Sequence, residues 1–170
     1  MSLKEIWIDM KVKVIDNYLN DKDFELLKSL VFDWKKFPWF YTQNITFEEK
    51  TLSNFYYLTH VLYIDNRPNS LHYDRIIHYF DFYECLYRVK INMYPYQGEL
   101  IEHPMHIDYE FKHKAALFSL NDCDGYTKFE DGKIVESVAN RMIFFDPTKQ
   151  HCSTNTTNRN RRVNINFNYF

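Results

Sequence analysis

The sequence has few glycines, few cysteines and no long apolar run. With 3 glycines and 5 prolines in 170 residues it contains no linker or low-complexity tract, so one domain over residues 1–170 is predicted. Cys85, Cys123 and Cys152 lack metal-ligand spacing and cannot all pair, which indicates reduced thiols. No apolar run approaches the length of a membrane span, and the first residues lack the apolar segment of a secretion signal. These absences predict a soluble, cytoplasmic protein.

Strong charge of one sign is also absent, while aromatic residues are abundant. The formal net charge of -2 argues against electrostatically driven nucleic-acid binding as the main activity. Aromatic residues reach 19%, within an otherwise ordinary composition of 45% hydrophobic and 26% charged residues. Abundant Tyr and Phe favour strands and large, partly polar interiors. The composition predicts a globular domain and identifies no ligand.

The periodicity of apolar residues changes near the middle of the chain. The first half predicts a strand at 11–16, a helix from a cap at Asn20 or Asp21 to about residue 33, an aromatic loop over 34–50, a strand at 54–65 and a helix at 70–84. Beyond residue 85 the period is two, and turn signals separate strands predicted at 86–94, 105–109, 115–120, 126–129, 133–138, 141–145, 151–154 and 162–169. This order predicts a mainly β fold with flanking helices, an antiparallel sandwich or jelly roll.

Three residues in the strand-rich half have the types and spacing of a metal site. His106 and Asp108 are two apart, so in a strand their side chains point to the same face. His151 begins a later predicted strand, which can bring it back to the same end of a small sandwich as His106 and Asp108. Two imidazoles and one carboxylate form the facial triad of non-heme Fe(II) oxygenases, which leaves the opposite metal positions open. Each residue alone is weak evidence, but the ordered set predicts a catalytic metal centre.

Other histidines compete less well for these roles. His103 lies five residues before Asp108, on the opposite face of a strand that Pro104 interrupts, so we expect it at the pocket rim or the surface. The remaining histidines have no carboxylate at a useful spacing and are interpreted as structural or solvated: His60, His72, His78 and His113.

The last predicted strand offers an arginine for an anionic ligand. Its two faces carry Arg162, Asn164, Asn166 and Asn168 on one side and Arg161, Val163, Ile165 and Phe167 on the other. A buried polar ladder must find partners, so the asparagine face either lines a pocket or faces solvent on an edge strand. If it lines the pocket, the guanidinium of Arg162 offers a fork matched to a carboxylate, with Arg161 as the alternative.

On these residues the sequence resembles the Fe(II)/2-oxoglutarate-dependent oxygenases, particularly small prolyl-hydroxylase-like members of phage or marine type. The resemblance rests on H-x-D at His106 and Asp108, on the distal His151, and on Arg162 with asparagines two and four positions on. The asparagine four positions on favours Arg162 over Arg161. The likeness covers residues 86–170, the predicted core, with 1–85 as N-terminal support.

The resemblance implies a double-stranded β-helix, a cupin-like jelly roll, with Fe(II) and 2-oxoglutarate as cofactors. By this likeness His106, Asp108 and His151 hold the iron, while the cosubstrate contacts come from Arg162, Tyr94, Asn164 and Thr127. It implies a dioxygenase that uses O₂ to hydroxylate a C–H bond of a peptidyl or small-molecule substrate, releasing succinate and CO₂. The sequence leaves the substrate and the oligomeric state open.

Two alternatives remain on sequence grounds. A cupin-type metalloenzyme would not use 2-oxoglutarate, although such enzymes usually place more histidine ligands in glycine-rich strands. A non-enzymatic β-sandwich binding protein would carry these histidines by coincidence, and His106→Ala would then change stability by only about 0.5 kcal/mol or less.

Overall fold

Two antiparallel sheets and two short helices make up the computed structural model, which describes residues 12–42 and 56–170. The elements are β1 (Lys13–Ile15), α1 (Asp21–Val31), β2 (Phe40–Thr42), β3 (Tyr57–Ile64), β4 (Arg67–Pro68), α2 (Tyr73–Ile77), β5 (Leu86–Pro95), β6 (Lys114–Ser119), β7 (Tyr126–Phe129), β8 (Ile134–Glu136), β9 (Arg141–Phe145), β10 (His151–Ser153) and β11 (Arg161–Tyr169). The larger sheet has the order β1-β9-β6-β11-β5-β3-β2, with β4 paired to β3, and the smaller sheet is β10-β7-β8. This arrangement confirms the predicted mainly β class.

The helix α1 forms where the sequence predicts it. The side chain of Asn20 caps it by accepting a hydrogen bond from the amide of Asp23 at 3.0 Å, which satisfies one of the free N–H groups of the first turn. Phe24, Leu27 and Val31 recur at helical spacing and are buried. They pack on one face of the larger sheet, which anchors the helix there.

The helix α2 is much shorter than the one predicted over 70–84. Phe80 and Phe82 both pack edge-on against Phe167, with ring centroids 4.8 and 5.2 Å away. Side chains two residues apart point to the same side in extended backbone but not in a helix. Packing of both rings therefore ends the helix early. Neither described helix is long and apolar enough to cross a membrane.

Several strand boundaries also differ from the prediction. β2 lies within the predicted aromatic loop, and the two-residue β4 lies between the strand predicted at 54–65 and the helix predicted at 70–84. The predicted strand at 105–109 is not a regular strand, because only His106 forms an isolated bridge there. Residues 1–11 and 43–55 lie outside the described residues, and so do the predictions made for the N-terminus and for much of the aromatic loop.

Alternation along β11 separates an apolar side of the larger sheet from a polar one. Its apolar side chains pack against the helices and belong to the main core: Val163, Ile165, Phe167 and Tyr169. Its polar side chains lie on the opposite face, which the smaller sheet covers, and they are also buried: Arg162, Asn164, Asn166 and Asn168. A second, smaller apolar cluster forms between the sheets. The two sheets thus enclose a polar space.

A carboxylate fixes the two loops that lead into β7 and β11. Asp124 accepts hydrogen bonds from the Thr156 hydroxyl at 2.7 Å, from the Thr157 amide at 2.8 Å and from the Asn158 amide at 3.3 Å, as well as from the Thr157 hydroxyl. Burial raises the pKa of Asp124, but these hydrogen bonds outweigh it and lower the pKa to about 2. The carboxylate therefore stabilises the fold in its charged form.

We expect Asp124→Asn to lower the free energy of unfolding by about 1–2 kcal/mol at pH 7, because charge-assisted hydrogen bonds are replaced by weaker ones at a partly exposed site. The folded-state pKa lies below that of an unfolded Asp, so this contribution is present above about pH 4 and is lost as the pH falls towards 2. Urea denaturation at several pH values measures it. Asp131→Asn, at an exposed carboxylate that accepts one described hydrogen bond, is the control. Equal losses in both variants would contradict the prediction.

Candidate metal centre

The structure brings His106, Asp108 and His151 together between the sheets. One potential ligand atom from each of the three residues lies within 4.8 Å of the others. His106 and His151 exchange backbone hydrogen bonds of 2.9 Å in both directions, so an isolated bridge aligns the two rings, whose centroids are 4.8 Å apart. The amide of Asp108 donates to the carbonyl of Pro147 at 3.1 Å. Backbone pairing with the distal segment thus positions the H-x-D segment without a regular strand.

Backbone carbonyls select the tautomer of both histidines. Nδ1 of His106 lies 3.2 Å from the carbonyl oxygen of Pro104, and Nδ1 of His151 lies 3.0 Å from that of Lys149. A carbonyl can only accept, so Nδ1 carries the proton in each ring and Nε2 keeps its lone pair. Burial and the nearby His151 lower the pKa of His106, which favours the neutral ring. Both imidazoles are thereby prepared to bind a cation through Nε2.

Asp108 is held as a charged carboxylate. Asn168 donates to its Oδ2 at 2.7 Å, and the guanidinium of Arg88 lies 3.5 Å from Oδ1. Burial raises the pKa of Asp108, but the charge of Arg88, the His151 imidazole and the Asn168 hydrogen bond outweigh it and hold the pKa below its usual value. The Oδ1 atom is also 3.9 Å from Nε2 of His151. One carboxylate and two imidazoles therefore face a common point.

His103 lies neither at the surface nor among the residues that line the pocket, although the sequence predicted the pocket rim or the surface. It is 3% exposed, its Nδ1 lies 3.1 Å from the Ser153 hydroxyl, and its ring packs against Tyr94 at 5.2 Å. Burial, followed by the charge of Arg162, lowers its pKa to about 3. His103 is thus a neutral packing residue behind the pocket wall, and it is not part of the three-residue group.

The paired strands β5 and β11 form the floor of the pocket. Their register sets Tyr94 opposite Arg162, Asn92 opposite Asn164, Lys90 opposite Asn166 and Arg88 opposite Asn168. Of the predicted cosubstrate residues, Tyr94, Asn164 and Thr127 line the same pocket as the three candidate ligands. The asparagine ladder is therefore buried on central strands and does not face solvent on an edge.

Arg162 lies at one end of this floor, just behind the pocket surface. Its side chain is 1% exposed. Nη1 donates to the carbonyls of Tyr126 and Thr154 at 2.8 and 2.9 Å, and Nη2 donates to the Thr127 hydroxyl at 2.9 Å. Nε has no hydrogen-bond partner, and no ion pair with a carboxylate is found for Arg162 in residues 12–42 and 56–170. Arg161, the alternative, points to the other face and lies over the ring of Phe32 at 4.5 Å.

Arg88 was not predicted as a pocket residue, and Lys90 was predicted only to share a strand face with Tyr94 from which it could reach a pocket. Both residues line the pocket. Burial lowers the pKa of Lys90 to about 8; the charge of Arg88 adds to this effect and that of Asp108 opposes it. Both residues are an even number of positions from Tyr94 and so share its strand face, which is the only pattern in the sequence that points to them. This pattern does not show which strand lies opposite.

The fold matches solved structures of iron- and 2-oxoglutarate-dependent enzymes at low sequence identity. An oxidoreductase of the 2OG-Fe(II) oxygenase family from Burkholderia pseudomallei gives a TM-score of 0.64 at 10% identity, over 92% of this chain and 84% of that chain. A prolyl hydroxylase from Trichoplax adhaerens, in complex with a hypoxia inducible factor oxygen degradation domain peptide fragment, gives 0.60 at 16% identity, over 94% and 83%. The non-heme alpha ketoglutarate dependent epimerase SnoN from nogalamycin biosynthesis gives 0.67 at 11% identity, over 99% and 80%.

These likenesses define the class of fold: the chain has the jelly-roll fold of the 2OG-Fe(II) oxygenases, as the resemblance implied. No family model matches the sequence, and no curated protein matches it. Solved structures with this fold are named for Fe(II) and 2-oxoglutarate, and the side chains present here would fit both groups. Two imidazoles and a carboxylate are the ligand types that suit Fe(II). The buried Arg162, with its unpartnered Nε, suits a carboxylate.

Proposed function

We propose that this protein is an Fe(II)- and 2-oxoglutarate-dependent dioxygenase that hydroxylates a C–H bond of a peptidyl or small-molecule substrate. The observation that carries the proposal is the convergence of His106, Asp108 and His151, with the Nδ1 atom of each imidazole facing a backbone carbonyl. The shared fold supports the same assignment.

Each side chain has a distinct part in this proposal. His106 and His151 bind the metal through Nε2, and Asp108 contributes the negative charge that suits a divalent cation. Arg162 pairs with the far carboxylate of 2-oxoglutarate, with Tyr94, Thr127 and Asn164 shaping that end of the pocket. When bound, iron and 2-oxoglutarate supply the activation of O₂ that no side chain offers.

The substrate class is also part of the proposal. Tyr109 follows Asp108 in the chain and lies 5.0 Å from the guanidinium of Arg88. It forms an aromatic cluster with Tyr87 and Phe111 at centroid separations of 4.8 to 5.2 Å, and Tyr87 and Phe111 are exposed. An exposed aromatic surface that reaches Arg88, the partner of Asp108, suits a peptide segment. The Trichoplax enzyme of the same fold was solved with a peptide fragment bound, which supports this preference.

Anaerobic titration with Fe(II) and then 2-oxoglutarate, followed by visible absorption, tests the cofactors. We expect a metal-to-ligand charge-transfer band in the unaltered protein and none in His151→Ala. Arg162→Met should need roughly 10- to 100-fold more 2-oxoglutarate, because a charge-assisted pair is lost. His78→Ala, at an exposed ring beyond α2, is the matched control and should behave as the unaltered protein.

The other outcomes separate the alternatives. Metal binding without the band would favour a cupin-type enzyme that does not use 2-oxoglutarate, and no metal binding would favour a binding protein. If the band forms, admission of O₂ should yield succinate in the unaltered protein and not in His151→Ala. A band without succinate formation would contradict a dioxygenase.

A further inference from the structure

The pocket contains more positive than negative side chains. Arg88 and Lys90 line it, and Arg162 lies behind one end. Among the described pocket-lining residues Asp108 is the one carboxylate. A buried cation is costly unless an anion or several acceptors compensate it. The excess of positive charge therefore points to anionic ligands.

Arg88 is already compensated within the protein. Its Nη2 lies 3.5 Å from Asp108, its Nε donates to the Asn168 side chain at 3.1 Å, and its guanidinium lies 5.0 Å from the centre of the Tyr109 ring. Arg88 thus orients the carboxylate of Asp108. Because its guanidinium is already paired within the protein, we do not expect Arg88 to bind a ligand.

Lys90 has no such ion pair or hydrogen bond within the described residues. Its Nζ lies 5.5 Å from the centre of the Tyr57 ring, which provides a weak cation–π contact. Within the described parts of the chain, no carboxylate lies within ion-pair distance of Nζ, and no hydrogen bond to it is found. Lys90 is half-buried, with its exposed part in the pocket. It is a charged donor facing the pocket without an acceptor.

The position of Lys90 along the floor separates it from Arg162. The Lys90–Asn166 pair lies next to the Arg88–Asn168 pair, whose side chains contact Asp108. Successive pairs on one face are about 6.6 Å apart along a strand. Lys90 is therefore one step from the partners of the metal ligand and two steps from the Arg162 end.

We propose that Lys90 binds a carboxylate group beside the metal centre, separately from the carboxylate bound by Arg162. This inference rests on the proposed function. The carboxylate comes either from 2-oxoglutarate, through the group next to its keto carbon, or from the substrate. In both cases the side chain acts as a binding residue, with the ammonium donating to carboxylate oxygens.

The test compares Lys90→Met with Lys90→Arg in the anaerobic charge-transfer titration. Lys112→Met, at an exposed position, is the control. If the cosubstrate supplies the carboxylate, Lys90→Met should bind Fe(II) as before but need roughly 10-fold more 2-oxoglutarate. Lys90→Arg should recover part of this loss, which a merely structural role of the side chain would not predict. Thermal melting confirms that each variant is folded.

A second arm detects a substrate carboxylate. Acetate is added to the complex with Fe(II) and 2-oxoglutarate, with acetamide as the neutral probe of the same shape. If the substrate supplies the carboxylate, acetate should perturb the band in the unaltered protein and not in Lys90→Met, while acetamide should have no effect. Unchanged 2-oxoglutarate affinity in Lys90→Met, together with no acetate effect in the unaltered protein, would overturn this inference alone. Absence of the band in the unaltered protein would overturn the proposed function as well.

Discussion

Replacing Gly125 with alanine should destabilise the protein by about 3 kcal/mol or more and also weaken the binding of 2-oxoglutarate. A Cβ atom at this position would overlap the carbonyl oxygen of Asn155 and would lie 2.7 Å from Cδ of Arg162. Overpacking of a dense interior typically costs about 1–3 kcal/mol, and here one of the obstructing atoms belongs to the backbone. The added methyl group must therefore displace either a buried loop or the arginine.

Neither obstacle can move freely. The side chain of Asn155 is fully buried, accepts a hydrogen bond from the amide of Ile101 at 2.8 Å and donates to the carbonyl of Glu99 at 2.9 Å. Arg162 is held by donation to two carbonyls and to the Thr127 hydroxyl. Any displacement of the guanidinium alters the end of the pocket at which we propose the far carboxylate binds.

Denaturant unfolding of Gly125→Ala measures the loss, and Gly132→Ala is the matched control. Gly132 has a φ of +84° and nothing within 4 Å of an added Cβ, so alanine there should cost about 1–2 kcal/mol of backbone strain alone. The charge-transfer titration of the folded fraction then reports 2-oxoglutarate affinity, which should fall in Gly125→Ala and not in Gly132→Ala. A Gly125→Ala variant as stable as the control would contradict the prediction, because it would show that the loop at Asn155 can move to accommodate the added methyl group.

The proximity of the three candidate ligands could be predicted from the sequence although the local structure of one segment was predicted wrongly. The H-x-D segment forms no regular strand, yet the bridge between His106 and His151 and the hydrogen bond from the Asp108 amide to Pro147 fix its backbone. Residue types and spacing were enough to predict this proximity. In extended backbone, side chains two residues apart point to the same side whether or not the segment forms a regular strand.

The partners of these residues could not be predicted, because they depend on which strands pair and in which register. Asn168 reaches Asp108 because β11 lies beside β5 with Asn168 opposite Arg88. A period of two identifies the face of a strand but not its neighbour. The length of α2 was missed for a related reason, since tertiary packing of Phe80 and Phe82 overrides local helical spacing.

Asp108→Asn should weaken metal binding at least about 100-fold while the protein stays folded. Asparagine keeps the shape of the side chain, and its carbonyl oxygen can still accept the hydrogen bond that Asn168 donates at 2.7 Å. The charge is lost, however, and Arg88 then lies beside the metal position without its counter-charge. Loss of a partner of a metal ligand costs 10- to 100-fold in affinity, so loss of the ligand charge should cost at least about 100-fold.

Equilibrium binding of Mn(II) or Fe(II) under anaerobic conditions measures this effect independently of turnover. Glu102→Gln is the matched control, because Glu102 is a carboxylate near the site that pairs with Lys128 at 2.9 Å and does not belong to the ligand group. We expect the control to bind metal as the unaltered protein does. An Asp108→Asn variant that retained full metal affinity would show that the two imidazoles bind the ion without this carboxylate, and the facial arrangement would then be wrong for this protein.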